Sequence, residues 1–97
     1  MQSNKIITFT TERLPLAVFL HASGRLRFSH CNLAGEAKVQ FVFSDPNTEG
    51  DQAELEFENG AVVSATSLFA SQRYLRRRMT DELNSNNRNS DNAYNSR

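Results

Sequence analysis

The chain has 97 residues, enough for one domain with a single modest hydrophobic core. Its 11 basic and 11 acidic side chains cancel, so no global electric field draws it to nucleic acid or to an anionic membrane. The single cysteine, Cys31, excludes an internal disulfide and a tetrathiolate zinc site, and no apolar run is long enough to span a bilayer.

Two elements are predicted near the start of the chain. The stretch KIITF, residues 5–9, is β-branched and alternating, which predicts a short strand. A helix is predicted to follow it, capped by Thr10 or Thr11 and with Pro15 in its first turn. Gly24 provides the left-handed residue that ends this helix.

This first helix is apolar around most of its circumference, whereas a surface helix carries a polar side. We expect a small domain to cover only one side of it. The sequence therefore predicts that a second copy or another protein covers the rest, with Leu16, Phe19 and Leu20 as anchors. The alternative is that one copy encloses the helix completely. A charge at position 19 would give a soluble monomer in the first case and an unfolded protein in the second.

A β-hairpin is predicted next. Residues 25–32, RLRFSHCN, place Leu26, Phe28 and His30 on one side, and residues 38–43, KVQFVF, also alternate. The connection NLAGEA is rich in turn-forming residues. Pro46 ends the second strand because it has no N–H for the ladder.

The segment at residues 52–58 fits two structures. Apolar residues alternate with three glutamates before an Asn-Gly pair, which favours a strand and a turn. Asp51, however, is suited to cap a short helix that Gly60 would close. The local pattern leans towards the strand.

A last helix is predicted from a cap at Ser64 or Thr66 to about Leu83, with an apolar stripe at helical spacing. The remaining residues, 84–97, are rich in asparagine and serine and predict a disordered tail. The folded domain is thus expected at residues 4–83. Its predicted class is α+β, a short antiparallel sheet of about three strands with two to three helices packed on it.

Three stretches resemble a small bacterial family that is known only as a domain of unknown function. They are the helix pattern T-x-x-L-x-L-A-x-F-L-x-x-x-G from Thr11 to Gly24, the strand FVFSDP, and Asn59-Gly60 followed by SLFASQRYLRRRM. The similarity covers about residues 6–80. Members carry an acidic cap near position 13, where this chain has Arg13, and this moves the predicted cap to a threonine.

The resemblance implies a compact α+β fold with the final helix packed on a short antiparallel sheet. It also tips the ambiguous residues 52–58 towards a helix. It implies no activity, since the family has none assigned.

Charge is unevenly distributed along the chain. Residues 45–58 hold six acids and no base, whereas residues 73–78 hold four arginines and no acid. At helical spacing Arg73, Arg76 and Arg77 fall on one edge of the apolar stripe, and Tyr74 and Arg78 fall on the far side. Arg77 and Arg78 have acids four residues on. The run therefore fits a solvated helix face, with a phosphate-binding face as the alternative.

Residues with catalytic or metal-binding chemistry form no known motif. His30 and Cys31 are adjacent and would point to opposite faces of a strand, and His21 lies on the first helix. A loop starting at Asp45 has the glycine and the glutamate of a calcium-binding EF-hand loop, but follows a strand and has a proline in second place. We predict a turn with acidic side chains, and no catalytic residue, metal or cofactor.

The predicted function is a non-catalytic binding or assembly module that self-associates as a homodimer through its first helix. The alternative is a nucleic-acid-binding accessory protein that uses Arg73, Arg76 and Arg77. The single cysteine and the absence of an apolar signal core favour a cytoplasmic protein of bacterial type with no membrane partner.

Overall fold

The computed structural model describes residues 7–35 and 38–95, with side chains described as far as Asn84. Its elements are β1 (Thr8–Thr11), α1 (Leu14–Ser23), β2 (Arg27–Leu33), β3 (Val39–Ser44), α2 (Gly50–Glu58) and α3 (Ala65–Asn95). The strands form an antiparallel sheet in the order β1-β3-β2, and the helices share one core with it. The predicted α+β fold is confirmed.

Strand β1 lies later in the chain than the predicted residues 5–9, of which 5 and 6 fall outside the described residues. Its position is set by β3, where Thr8 pairs with Ser44 and Phe9 with Phe43. Thr11 is consequently a strand residue and not the helix cap. Its hydroxyl instead accepts the backbone N–H of Arg13 at 3.0 Å.

Helix α1 follows at once, with Arg13 in the N-cap position but without a side-chain capping bond. Pro15 lies in the first turn, as predicted, where its missing N–H removes no helical hydrogen bond. Gly24 ends the helix with a φ of 75°, the left-handed conformation that the sequence predicts there.

The predicted hairpin of β2 and β3 is confirmed, but β2 contains a bulge between Phe28 and His30. A bulge inserts one extra residue and reverses the alternation beyond it. His30 is therefore exposed, contrary to the predicted alternation, and Cys31 enters the core.

Residues 50–58 form helix α2, so the local strand pattern gives the wrong structure and the helix implied by the resemblance is correct. The cap is also different from the predicted one. Asp45, which is buried, accepts the backbone N–H groups of Glu49 at 2.7 Å and Gly50 at 2.8 Å. Gly50 packs so tightly that a Cβ there would overlap the ring of Phe9.

The end of α2 agrees with the sequence. Gly60 has a φ of 84°, and its N–H bonds the carbonyl of Phe57 at 3.1 Å while that of Ala61 bonds Glu56 at 3.0 Å. This pair of bonds is the Schellman motif that terminates many helices.

Helix α3 begins after Ser64, whose hydroxyl accepts the N–H of Ser67 at 3.1 Å, which confirms one of the two predicted caps. Among the side chains that the structure describes, Leu83 is the last on α3 to pack against the core. The helix itself continues to Asn95, beyond the predicted end at about Leu83, and the disorder expected for residues 84–97 stays a prediction. The sequence holds no glycine or proline there to interrupt it. Residues 96 and 97 lie outside the described residues.

The core covers most of α1, from Leu16 to Leu20. Leu16, Phe19 and Leu20 are buried, and the helix contacts α3, α2, β1 and β2. The premise that one copy is too small to cover α1 is therefore wrong, because α2 and α3 cover the flanks that the sheet leaves open. Within the described residues, no helix combines the length and the apolar character that crossing a membrane requires.

Candidate functional site

An apolar groove opens between the start of α1, the end of α2, the segment that joins α2 to α3, and α3 itself. It has a volume of about 640 Å³. Its apolar walls and floor are formed by Leu14, Pro15, Val18, Phe19, Phe57, Val62, Val63 and Leu68. Of the three predicted partner-binding residues, the groove thus uses Phe19 alone, as part of its floor.

Two large apolar side chains protrude beside this groove. Val62, on its rim, is 91% exposed, and Phe69, one helical position beyond Leu68, is 61% exposed. Phe69 shares a second hollow with Gln72 and Arg76, which also line the groove. Exposed apolar side chains beside an apolar groove are typical of a protein-binding surface. We call the groove with Val62 and Phe69 the groove face.

Charges of opposite sign lie on or next to the groove face, and of these Arg76 alone lines the groove, on the α3 side. On the α2 side the Arg13 guanidinium binds Glu58 at 2.7 Å and Glu54 at 3.2 Å, and lies over the ring of Phe57. Two acids against one base leave that side negative, while the α3 side is positive.

The acidic segment of residues 45–58 finds its partners in Arg13 and Arg25. Arg25 approaches Glu56 at 3.4 Å and Glu49 at 3.9 Å. None of the four arginines at residues 73–78 forms an ion pair with a described residue. Arg77 and Arg78 thus form no direct ion pair with the acids one turn on, although Asp81 and Glu82 remain their neighbours along α3.

The three arginines predicted to act together line neighbouring hollows along α3. Arg76 lines the groove and shares the second hollow with Arg73, while Arg73 and Arg77 line another hollow of about 520 Å³ with Ala70 and Tyr74. Tyr74 therefore lies beside two of the arginines, not across the helix from them. The ring is 43% exposed. We call Arg73, Tyr74 and Arg77 the arginine-tyrosine surface.

Aromatic packing holds Tyr74 in place from behind. The imidazole of His21 stacks on its ring with centroids 5.1 Å apart, and Phe28 meets it edge-on at 5.9 Å. His21 is tied to α3 as well, since its Nδ1 lies 2.7 Å from the Ser71 hydroxyl. The side chains of α1, β2 and α3 thus fix the tyrosine as a rigid ring.

The contact between His21 and Ser71 has the atoms of a nucleophile and its base. Ser71 is buried, however, and the interior of a helix does not present a hydroxyl to a substrate. The bond is better understood as a tie between α1 and α3. Burial lowers the pKa of His21 below its ordinary value of 6.5.

Lowering the pH is therefore expected to destabilise the fold through His21. With its pKa depressed in the folded state, His21 binds a proton more readily in the unfolded chain. The loss of unfolding free energy caused by His21 is absent well above pH 6.5 and grows as the pH falls through that value. Urea unfolding at several pH values should show a steeper loss of unfolding free energy below pH 6.5 in the wild type than in His21→Gln.

The exposed His30 provides the matched control for this measurement. His30→Gln should keep the wild-type pH dependence. Equal pH dependence in the wild type and His21→Gln would show that His21 does not cause the loss of stability at low pH.

His21, His30 and Cys31 have three different surroundings and form no joint site. Cys31 is buried in the core, where desolvation raises the pKa of its thiol. Such a thiol stays protonated and is a poor nucleophile.

The loop that resembles a calcium site has a structural role. Both carboxylate oxygens of Asp45 accept backbone N–H groups of α2. Among the residues that the structure describes, no three acid, histidine or cysteine side chains gather as a metal site would need.

Sequence reasoning missed the groove because its residues come from three separate segments. The signals available were Val62 and Phe69, two large apolar residues outside the stripe of α3. Comparisons with known protein families, with characterised proteins and with solved structures find no match to this chain.

Proposed function

We propose that this chain is a non-catalytic assembly module that pairs with a second copy of itself through the groove face. The observation that carries the proposal is the groove of about 640 Å³ beside the protruding Phe69. A projection and a recess on one face suit a two-fold interface, in which each surface element meets its counterpart on the other copy. Phe69 of each copy would then enter the groove of the other.

Charge supports a second copy as the occupant. The α3 side of the groove is positive at Arg76, and the α2 side is negative at Glu54 and Glu58. A two-fold axis through the groove places the positive side of one copy against the negative side of the other. Such complementarity fixes the orientation and speeds association more than it strengthens binding.

The amount of apolar surface also favours a partner. Val62 and Phe69 are large apolar side chains that face water, and neither belongs to the core. Folding of the monomer therefore does not explain why they are apolar. Aromatic residues that fill a partner's pocket are frequent hot spots of interfaces. The proposed role is structural: the module brings two chains together.

Replacing Phe69 or Val62 with aspartate should abolish pairing without unfolding the chain. Both side chains are exposed, so their loss removes little from the core. A hot-spot residue contributes about 2 kcal/mol or more, so the dimer dissociation constant should rise about 30-fold or more. Sedimentation equilibrium of the wild type and the two variants measures this directly.

Leu55→Asp is the matched control, because Leu55 is 54% exposed on the outer side of α2 and does not line the groove. It should dimerise as the wild type does. A charge exchange tests the orientation: Arg76→Glu and Glu58→Arg should each weaken pairing, and the double variant should recover part of it. A wild type that stays monomeric at millimolar concentration would overturn the proposal.

A further inference from the structure

The arginine-tyrosine surface of α3 adjoins the proposed pairing contact, since Arg73 also lines the hollow of Phe69. Arg73 and Arg77 are one helical turn apart, and Tyr74 lies beside them around the helix. All three line the hollow of about 520 Å³, which Arg76 does not line. The hollow therefore offers two guanidinium groups and one aromatic ring to the same ligand.

Ion pairs leave positive charge on this part of the molecule. Glu54, Glu56 and Glu58 of α2 are engaged by Arg13 and Arg25. Arg73 and Arg77 have no ion pair among the residues that the structure describes. The chain is neutral as a whole, so this excess of positive charge is local and is available to an anion.

The ring of Tyr74 gives the surface a second property. One face of the ring is covered by the stacked His21 and Phe28 packs perpendicular to the ring, and Tyr74 as a residue remains 43% exposed. A rigid, half-exposed aromatic ring next to arginines is what proteins use to stack an unpaired base while the arginines bind its phosphates. An acidic protein segment would use the arginines but would have no planar group for the ring.

We propose that the arginine-tyrosine surface binds single-stranded nucleic acid, with Arg73 and Arg77 on successive phosphates and one base stacked on Tyr74. The contact is sequence-tolerant, because every base has a flat face and the phosphates carry no sequence information. It covers two or three nucleotides and is correspondingly weak. Duplex nucleic acid binds less well because its bases are already stacked on each other.

The test is fluorescence anisotropy with a labelled oligothymidylate of about 15 nucleotides at several salt concentrations between about 50 and 200 mM. The wild type should bind at low salt and lose affinity as salt rises. Arg73→Ala/Arg77→Ala should lower the salt dependence, the slope of log K against log salt, by about 1.4, since each phosphate contact on a single strand contributes about 0.7. Both arginines are exposed, so this variant keeps its fold.

Tyr74 separates base stacking from simple charge attraction. Tyr74→Leu should weaken binding about 5- to 150-fold, the loss expected for one stacked base, while leaving the salt slope unchanged. Tyr74→Phe should bind as the wild type does, because the ring is retained. Thermal unfolding by circular dichroism establishes that each variant is folded.

Arg76→Ala is the charge-matched control, since it removes one arginine of the same helix from the groove side. It should affect binding less than Arg73→Ala or Arg77→Ala alone. Val62→Asp should bind oligothymidylate normally, because Val62 lines the groove and neither hollow that contains Arg73, and this separates the site from the pairing proposal.

Two results would overturn the inference. One is the absence of binding at low salt. The other is binding that duplex DNA or polyglutamate matches and that Tyr74→Leu leaves intact, because the surface would then be a general anion-binding face. Equal competition by inorganic phosphate, at the same phosphate concentration, would be a further sign of such a general anion-binding face.

Discussion

Replacing Phe19 with aspartate is expected to unfold the protein. Phe19 is 4% exposed and its ring packs against that of Phe57 with centroids 5.5 Å apart. Removing a buried phenylalanine costs about 3–5 kcal/mol, and a carboxylate without a partner in its place adds to that cost. A domain of this size has a total stability of about 5–15 kcal/mol. Circular dichroism and urea unfolding should show an unfolded chain, or one that unfolds far more readily.

Phe69→Asp is the matched substitution for this prediction, because it makes the same chemical change at an exposed position. It should unfold at nearly the wild-type urea concentration. Together the two variants distinguish an apolar helix that is buried within one copy from an apolar helix that binds a partner. A soluble, folded Phe19→Asp monomer would restore the original prediction that Phe19 is a docking residue and would contradict the buried position described above.

The error about α1 has a physical cause. The sequence indicates correctly that the helix is apolar all round, but it does not tell how many elements gather around it. The number of elements that can pack on α1 depends on residues 50–58. Their apolar residues alternate as in a strand, although they form α2. Once α2 and α3 both pack on α1, a single copy suffices to bury Leu16 and Leu20.

The sequence predicts structure correctly where a single residue determines the local backbone conformation or caps a helix. Gly24 and Gly60 have the left-handed backbone that their positions predict, and Ser64 caps α3 with its hydroxyl. The conformations of these residues depend on neighbours within a few positions. The antiparallel pairing of β2 with β3 belongs to the same class, since a short connection joins the two strands.

Features that depend on distant residues were not accessible in this way. The bulge in β2 moved Cys31 into the core, and only the pairing with β3 reveals it. Likewise the partners of the acidic segment, Arg13 and Arg25, lie far away in the chain. The division of the arginine run between the groove and the arginine-tyrosine surface follows from what packs beside α3, and its sequence does not contain that information.

The capping role of Asp45 also depends on the tertiary structure. Its substitution is the second one for which we expect a large effect. Its side chain accepts the N–H groups of Glu49 and Gly50, and its carbonyl accepts that of Thr48 at 3.0 Å. Thr48 has a φ of 51°, an unfavourable conformation for a β-branched residue that the surrounding bonds must hold. One buried carboxylate therefore organises the turn and begins α2.

Asp45→Ala is expected to lower the unfolding free energy by about 2–4 kcal/mol. The substitution removes two charge-assisted hydrogen bonds and leaves the buried N–H of Gly50 without a partner. Urea unfolding measures the loss. Because α2 covers one flank of α1, the variant should also show faster amide exchange in α2 than elsewhere.

Asp51→Ala is the decisive comparison, because Asp51 is the cap that the sequence favoured and lies exposed in the first turn of α2. Without a capping bond it contributes only its interaction with the helix dipole, about 0.3–1 kcal/mol. A larger loss for Asp51→Ala than for Asp45→Ala would mean that α2 begins as the sequence suggests and not as described above. The opposite order would establish that a carboxylate from the preceding turn starts this helix, and with it the enclosure of α1 on which the groove face depends.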